Sequence, residues 1–492
     1  MPKQISEIPL VSFKIDHHSN IPLYKQLYDN FRRAILDGKF SPGQKLPGTR
    51  SLAAELNISR NTVVLAFEQL LLEGYIKGKV GSGTYINEIP DNILNIKEKV
   101  NRKKSGKKIS TNLISQLGNP DLIYRNTSSE EIIPFQNGVP SLDEFPIKTW
   151  TKLNNQTAGT TSGIHLGYGD AAGYKPLREE IASYLRTYRA VNCNADQIII
   201  VNGSQQGLDL VMRVLLNPGD AVWHEDPGYF GARASMLFAG AKIFPSPLDE
   251  EGLNIEYSET KYPFPKLIYT TPSHQFPLGQ TMSISRRIRV LQYASKNNCW
   301  IIEDDYDSEF RYSGNPLPSL QGMDKNNCII YLGTFSKVLF PALRLGYLVL
   351  PDPEMLNVFV SAKSMMDRQS PTFEQIITYR FLKEGYFTKH IRKMRTLYKE
   401  RQEFLINEVE KDLGDFVKLK SSDAGMHLIA WLPQEFDDMR ISKKAKENNL
   451  LVYPLSEYVL KFKQKPGLLL GYTAFGKPEL KEGVQRLKKI FN

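Results

Sequence analysis

Gly333-Thr-Phe-Ser-Lys-Val-Leu-Phe-Pro-Ala-Leu-Arg-Leu-Gly346 is a hydroxyl-rich turn carrying a lysine at 337 and an arginine seven residues later, at 344. It follows the short apolar run 328–331. Upstream lies Ile301-Ile-Glu-Asp-Asp-Tyr306, an apolar strand that ends in carboxylates and a tyrosine. Working outward, residues 197–201, 220–224, 266–269 and 300–303 read as further short buried strands, and 287–297 as a helix between two of them. The turn Asn202-Gly-Ser-Gln-Gln206 opens a helix that runs to about Leu216. Strands alternating with helices predict an α/β fold with a mostly parallel sheet. Ligands on such sheets sit beyond the carboxyl ends of the strands, and the candidate chemical groups all fall there.

Each group has a definable use. The Lys337 amine can form a Schiff base with an aldehyde once it is deprotonated. Asp304 can pair with a protonated pyridine nitrogen, and Tyr306, two residues on, shares its strand face and can bond a ring hydroxyl. Thr334, Ser336 and Arg344 offer two hydroxyls and a guanidinium to one phosphate. Ser204 and Gln205 open a helix after a strand, so their N–H groups and the Ser204 hydroxyl can hold a phosphate too. Tyr229, in Asp226-Pro-Gly-Tyr229, can stack on an aromatic ring or simply pack. A lysine amine, a carboxylate and a phosphate-binding arginine are the groups that pyridoxal phosphate (PLP) needs from a protein. The Asp304/Asp305 pair suggests a metal as an alternative, but no His/Cys cluster accompanies it.

The first 86 residues follow a different logic. Asn20 is expected to cap a helix beginning near Pro22, with Tyr24, Leu27, Phe31 and Ile35 on its buried face. Thr49 is expected to cap a second, short helix with Leu52, Ala53 and Leu56 inward, and Ser59 a third that buries Val63, Ala66, Phe67 and Leu70. Residues 75–86 alternate and turn like a two-stranded wing. Three helices and a hairpin predict a winged helix-turn-helix. Arg60, Asn61 and Thr62 stand at the start of the third helix, where they can reach base edges and phosphates. Arg50 can clamp the backbone, and Lys77, Lys79 and Gly81 give the wing charge and close approach. A helical protein-interaction module with the same core is the alternative.

Charge supports the division. Residues 1–110 hold 18 Lys/Arg against 10 Asp/Glu, a net of +8 in a chain whose total is +10. A basic module on a nearly neutral body points to a polyanion, here double-stranded DNA, with a solvated basic face as the alternative. Residues 87–130 read as a tether. The basic run 101–108 within it is either solvated linker or an extra phosphate contact. No apolar run approaches the roughly 20 residues of a membrane span. The N-terminus lacks the apolar core of a secretion signal. Three scattered cysteines fit neither a disulfide framework nor a metal site. The expected location is the cytoplasm.

Ile21-Pro-Leu-Tyr-Lys-Gln-Leu, Gly43-Gln-Lys-Leu-Pro-Gly-Thr-Arg-Ser-Leu-Ala53, Ser59-Arg-Asn-Thr-Val and Gly81-Ser-Gly-Thr-Tyr resemble the GntR-type winged-helix regulators. That resemblance implies operator-DNA contacts for Arg50, Ser59, Arg60, Thr62 and Gly81. Residues 131–492 resemble the fold-type I, aspartate-aminotransferase-like PLP enzymes, with a large subdomain over about 180–360 and a small one over about 361–492 with 131–179. The resemblance implies phosphate contacts for Ser204, Gln205, Thr334, Ser336 and Arg344. It also implies ring stacking by Tyr229, the pyridine nitrogen on Asp304, the ring oxygen on Tyr306 and the Schiff base on Lys337. Tyr168, in Tyr168-Gly-Asp-Ala-Ala-Gly173, matches a tyrosine that reaches the phosphate of a partner subunit, which implies a homodimer.

The fusion resembles the MocR-type regulators, which include GabR- and PdxR-like proteins. Thr271-Pro-Ser-His-Gln-Phe-Pro-Leu-Gly279 and Glu303-Asp-Asp-Tyr-Asp-Ser-Glu-Phe-Arg-Tyr312 carry that likeness. The resemblance implies a regulator that senses PLP, an amine or an amino acid through Lys337. Two departures bear on catalysis. Phe276 stands where aminotransferases usually have an asparagine, and Gly467-Leu-Leu-Leu-Gly-Tyr-Thr-Ala-Phe475 lacks the usual carboxylate-binding arginine. Full transamination is therefore not expected, and Arg368 is either an effector contact or a structural ion pair.

Overall fold

The computed structural model describes residues 13, 15–79, 81–88, 133–160, 162–314 and 317–491. The chain divides into two compact units, Met1–Ser110 and Thr111–Asn492. Apart from Asn87 and Glu88, the tether expected over 87–130, with its basic run, lies outside the described residues.

In the first unit, α1 (Leu23–Leu36), α2 (Thr49–Glu55) and α3 (Arg60–Leu72) precede an antiparallel hairpin of β1 (Ile76–Lys79) and β2 (Gly83–Ile86). Leu27, Phe31 and Ile35 are buried as the helical spacing requires, but the fourth position of that face is Tyr28 rather than Tyr24. Phe31 centres the core, its ring 4.8 Å from Phe13, 5.9 Å from Phe40 and 5.5 Å from Phe67. Two expected caps are absent. Pro22 and Gly48 occupy the N-cap positions of α1 and α2, neither with a side-chain bond, so Asn20 lies too early and Thr49 is already helical. The third is present: Ser59 Oγ accepts the Thr62 N–H at 3.1 Å.

The second unit is built on an eight-stranded sheet. Its strands are β3 (Ile198–Val201), β4 (Ala221–Asp226), β5 (Lys242–Asp249), β6 (Gly252–Leu253), β7 (Leu267–Thr270), β8 (Trp300–Asp305), β9 (Ile329–Thr334) and β10 (Gly346–Val349), in the order β3-β10-β9-β8-β7-β4-β5-β6. The run β9-β8-β7-β4-β5 is parallel, while β10 is antiparallel to both its neighbours. Apolar cores lie on both faces, with Ile198 and Ile200 in one and Ile199 and Val201 in the other. That two-sided burial explains why these strands read as continuous apolar runs rather than alternating ones. A four-stranded antiparallel sheet of β11 (Lys418–Leu419), β12 (His427–Trp431), β13 (Tyr453–Pro454) and β14 (Gly467–Gly471) follows, ordered β11-β12-β14-β13.

The lysine segment joins two neighbouring antiparallel strands. Thr334 at the end of β9 pairs with Gly346 at the start of β10. Both ends of the loop are thus held by one ladder, which fixes Lys337 and Arg344 relative to the sheet.

Candidate functional site

A cavity of about 750 Å³ opens beyond the carboxyl ends of β3, β4, β7, β8 and β9. Seven of the expected residues line it: Ser204, Gln205, Tyr229, Asp304, Tyr306, Thr334 and Lys337. Lys337 Nζ donates to the Gly138 carbonyl at 2.8 Å. Gly138 has φ 73°, which favours glycine, and a Cβ there would lie 2.6 Å from that nitrogen and displace the end of the lysine. Burial pushes the Lys337 amine below the ordinary lysine range, and the Arg344 charge adds to it, against the pull of Asp307 and Asp304. A lowered value favours the neutral, nucleophilic amine.

Asp304 faces the cavity and accepts a bond from the Tyr269 hydroxyl at 2.7 Å. Burial pushes its carboxyl up to about 7; the Tyr269 bond opposes this, and the nearby Asp305 charge adds to it. Asp305 turns to the opposite face, 2.8 Å from Arg189 and 2.5 Å from the Tyr331 hydroxyl. Strand alternation thus separates the two carboxylates and removes the metal reading of the pair. Tyr306 lies just past the end of β8. Its hydroxyl is 2.9 Å from His274 Nδ1, and the same nitrogen is 2.9 Å from Asp307.

The phosphate candidates gather at one end. Ser204 begins a twelve-residue helix, Ser204–Leu215, capped by Gly203 at φ 83°. A Cβ on Gly203 would lie 2.9 Å from Arg344 Nη2. Arg344 adopts the left-handed conformation (φ 50°), a local cost of about 1–2 kcal/mol. Its guanidinium donates to the Asn202 carbonyl at 3.1 Å. Thr334 Oγ1 accepts the Ser336 N–H at 3.2 Å, and the Ser336 hydroxyl is buried without a partner. The Gln205 amide is already committed, donating to the Gly231 carbonyl and to Ser235 Oγ, so only its backbone is available to an anion. An orphaned hydroxyl, a helix N-terminus, a guanidinium and a cradle closed to any Cβ fit a bound phosphate. The residues present therefore fit PLP.

Tyr168 and Arg368 do not line this cavity. They meet each other, the Arg368 guanidinium lying 4.3 Å from the Tyr168 ring centre, and Tyr168 is 81% exposed. The sequence reading missed Tyr269, His274, His427, Tyr453, Tyr458 and the 136–138 segment. Tyr269 carried a signal, since it ends a strand beside β8. The others come from loops and from the small sheet, which no local motif ties to Lys337.

In the first unit, Arg50, Ser59, Arg60, Lys79 and Gly81 are exposed and Thr62 is half-buried. Arg60 Nε donates to Thr49 Oγ1 at 3.4 Å, which gives Thr49 a use other than the expected cap. On the wing, Lys79 lies 5.3 Å from the Tyr85 ring centre. Gly81 takes φ 72°, at the hairpin turn. Among the described residues no group of three or more His, Cys, Asp or Glu could hold a metal, and no helix is long and apolar enough to cross a membrane.

Residues 23–86 match the gntR family of bacterial regulatory proteins, and residues 130–472 match the class I and II aminotransferases. The probable rhizopine catabolism regulatory protein MocR of Rhizobium meliloti is 36% identical over 97% of this chain and 95% of its own length. Aromatic-amino-acid aminotransferase 1 of Thermococcus litoralis is 31% identical over 74% of this chain and 89% of its own. The crystal structure of Pyrococcus horikoshii kynurenine aminotransferase superposes with a TM-score of 0.68 and 30% identity, covering 80% of this chain and 98% of that one. A DNA-binding module of one family and an aminotransferase body, of a fold that implies dependence on PLP, thus share one polypeptide, as in relatives that match it almost end to end: the chain belongs to the MocR-type transcriptional regulators.

Proposed function

We propose that this regulator holds PLP at Lys337 and changes its affinity for operator DNA when PLP, an amine or an amino acid occupies that site. The observation that carries the reading is the convergence of Lys337, Asp304, Ser204 and Thr334 on one cavity, with Ser336 bonded to Thr334 and Arg344 to the Asn202 carbonyl beside it. Bound PLP supplies an aldehyde carbon open to amines and a ring that withdraws electrons. Lys337 Nζ would be the attachment point, giving up its bond to Gly138. Asp304 would pair with the ring nitrogen, its burial strengthening that pairing. Tyr229 would stack on the ring. Tyr306, with His274 behind it, offers a hydroxyl to the ring oxygen.

The protein acts as a homodimer in the cytoplasm, with Tyr168 of each copy serving the other's phosphate. Arg50, Ser59, Arg60, Thr62, Lys79 and Gly81 form the DNA face. Arg368, exposed and stacked on Tyr168, is the weaker effector contact.

The test is borohydride reduction of PLP-incubated protein followed by peptide mapping. A pyridoxyl group on Lys337, absent from Lys337→Ala, is expected. Labelling of a different lysine, or of none, contradicts the assignment. The likeness to aminotransferases gives a second reading, an active transaminase. Sustained turnover with amino acids and 2-oxoglutarate at about 1 per second or more would establish it. The expected outcome is no turnover beyond a slow half-reaction, because α-carboxylates lack their usual arginine and positioning supplies much of the rate.

A further inference from the structure

We infer that the effector admitted beside Lys337 is a primary amine with an apolar, aromatic-sized body and no carboxylate. The inference rests on the PLP reading above and narrows its ligand class.

Beyond the groups assigned to the cofactor, much of the lining is apolar: Phe230, Phe276, Met426, Tyr453 and Tyr458 contribute to it. Phe276 is its hub, with ring centres at 5.8 Å to Tyr229, 5.9 Å to Tyr306 and 5.3 Å to Tyr458. An aromatic or branched apolar body gains burial and ring contacts against such a wall.

A carboxylate gains nothing comparable. Among the described lining residues Lys337 is the one Lys or Arg, and the cofactor takes it. Every residue of β14, where the usual arginine would stand, is buried, with leucines at its centre; Gly471 at its end packs on Gln136 and Asn137. Arg401 and Arg233 do not line the cavity: Arg401 donates to Ser141 Oγ and to the Thr473 carbonyl, and the Arg233 guanidinium stacks 4.4 Å from the Phe230 ring centre. His427 lines the cavity but is 2.9 Å from the Pro277 carbonyl, and burial holds its ring neutral, pushed down to about 3. Asp209, which also lines the space, is paired with Arg213 at 2.7 Å, and Asp304 is assigned to the ring nitrogen, so neither offers an anion a partner. A carboxylate brought here would be desolvated with no Lys or Arg of the lining left to pair with it.

Exchange with such an amine balances without an oxidant. The incoming nitrogen bonds to the cofactor's aldehyde carbon as the bond to Lys337 Nζ breaks, and the two hydrogens given up by the amine end on Nζ.

The test uses full-length, PLP-loaded protein and three probes: phenethylamine, L-phenylalanine, which adds only the carboxylate, and ethanolamine, which lacks the apolar body. Readouts are the half-saturating concentration of the absorbance change and the mass of the borohydride-trapped product. Phenethylamine is expected to half-saturate at least ~10-fold below the other two. Equal or tighter binding of phenylalanine, as when Arg368 of a second copy supplies a cation, overturns the inference. So does equal binding of ethanolamine, or no response to phenethylamine. If the protein never acquires the PLP absorbance, the underlying reading fails, and this inference with it.

Discussion

Asp304 and Asp305 are chemically identical neighbours with opposite surroundings. Asp305 meets the Arg189 guanidinium, whereas Asp304 is buried against a tyrosine hydroxyl with no salt bridge among the described residues. Held up to about 7 against a reference of 3.8, Asp304 takes up a proton on folding. Between about pH 4 and about pH 7 the native state therefore binds more protons than the unfolded one, and this group's contribution to stability falls as pH rises. A shift of that size is worth at most ~4 kcal/mol. In cofactor-free protein, Asp304→Asn should gain stability over wild type near about pH 8 and little near about pH 4. Glu303, also pushed up to about 7 by burial, and the depressed histidines act in both proteins and cancel in the comparison. With PLP loaded the order reverses, because an amide cannot balance a protonated ring nitrogen. Denaturant unfolding at the two pH values, with and without PLP, checks both. A wild type and variant that differ equally at both pH values would rule out the titration.

At the scale of the element, Ser59 caps α3 and belongs to the DNA face proposed above. Its hydroxyl caps the helix through the Thr62 N–H and lies 2.8 Å from Thr62 Oγ1. Ser59→Ala should cost about 1 kcal/mol of module stability. Ser59→Asp keeps a capping oxygen but places a negative charge where the phosphates approach, so it should melt like wild type and bind DNA poorly. Paired thermal melts and DNA titrations separate the roles; unchanged DNA affinity in Ser59→Asp would remove Ser59 from the interface. The same helix shows what a sequence discloses. Val63, Ala66, Phe67 and Leu70 recur at helical spacing and are buried as read, because local periodicity carries that information. The strands ending at Val201, Asp226, Thr270, Asp305 and Thr334 were legible for the related reason that two-sided burial leaves apolar runs. β10 was not, since its apolar run merges with the lysine segment. The caps of α1 and α2 were misread because Asn20 and Thr49 have the right chemistry one or two positions from the real boundary. His427 and Tyr458 were invisible because only tertiary packing brings β12 and the 455–458 turn to the cavity.

For the whole molecule, the matched families place a DNA-binding module and an aminotransferase-like body in one chain, and regulation requires that the two be coupled. A ligand shifts DNA binding only if it favours one of two conformations, and typical couplings are about 5–150-fold. The direct measurement is the affinity of full-length protein for an operator duplex selected from a random pool, by fluorescence anisotropy at fixed salt, in cofactor-free and PLP-loaded forms and then with added amine. The account predicts that PLP, or amine added to the PLP-loaded form, changes the affinity by at least ~5-fold in wild type and by less than ~2-fold in Lys337→Ala. Equal affinities across all forms of the wild type, or the same shift in Lys337→Ala, would contradict a sensor built on Lys337.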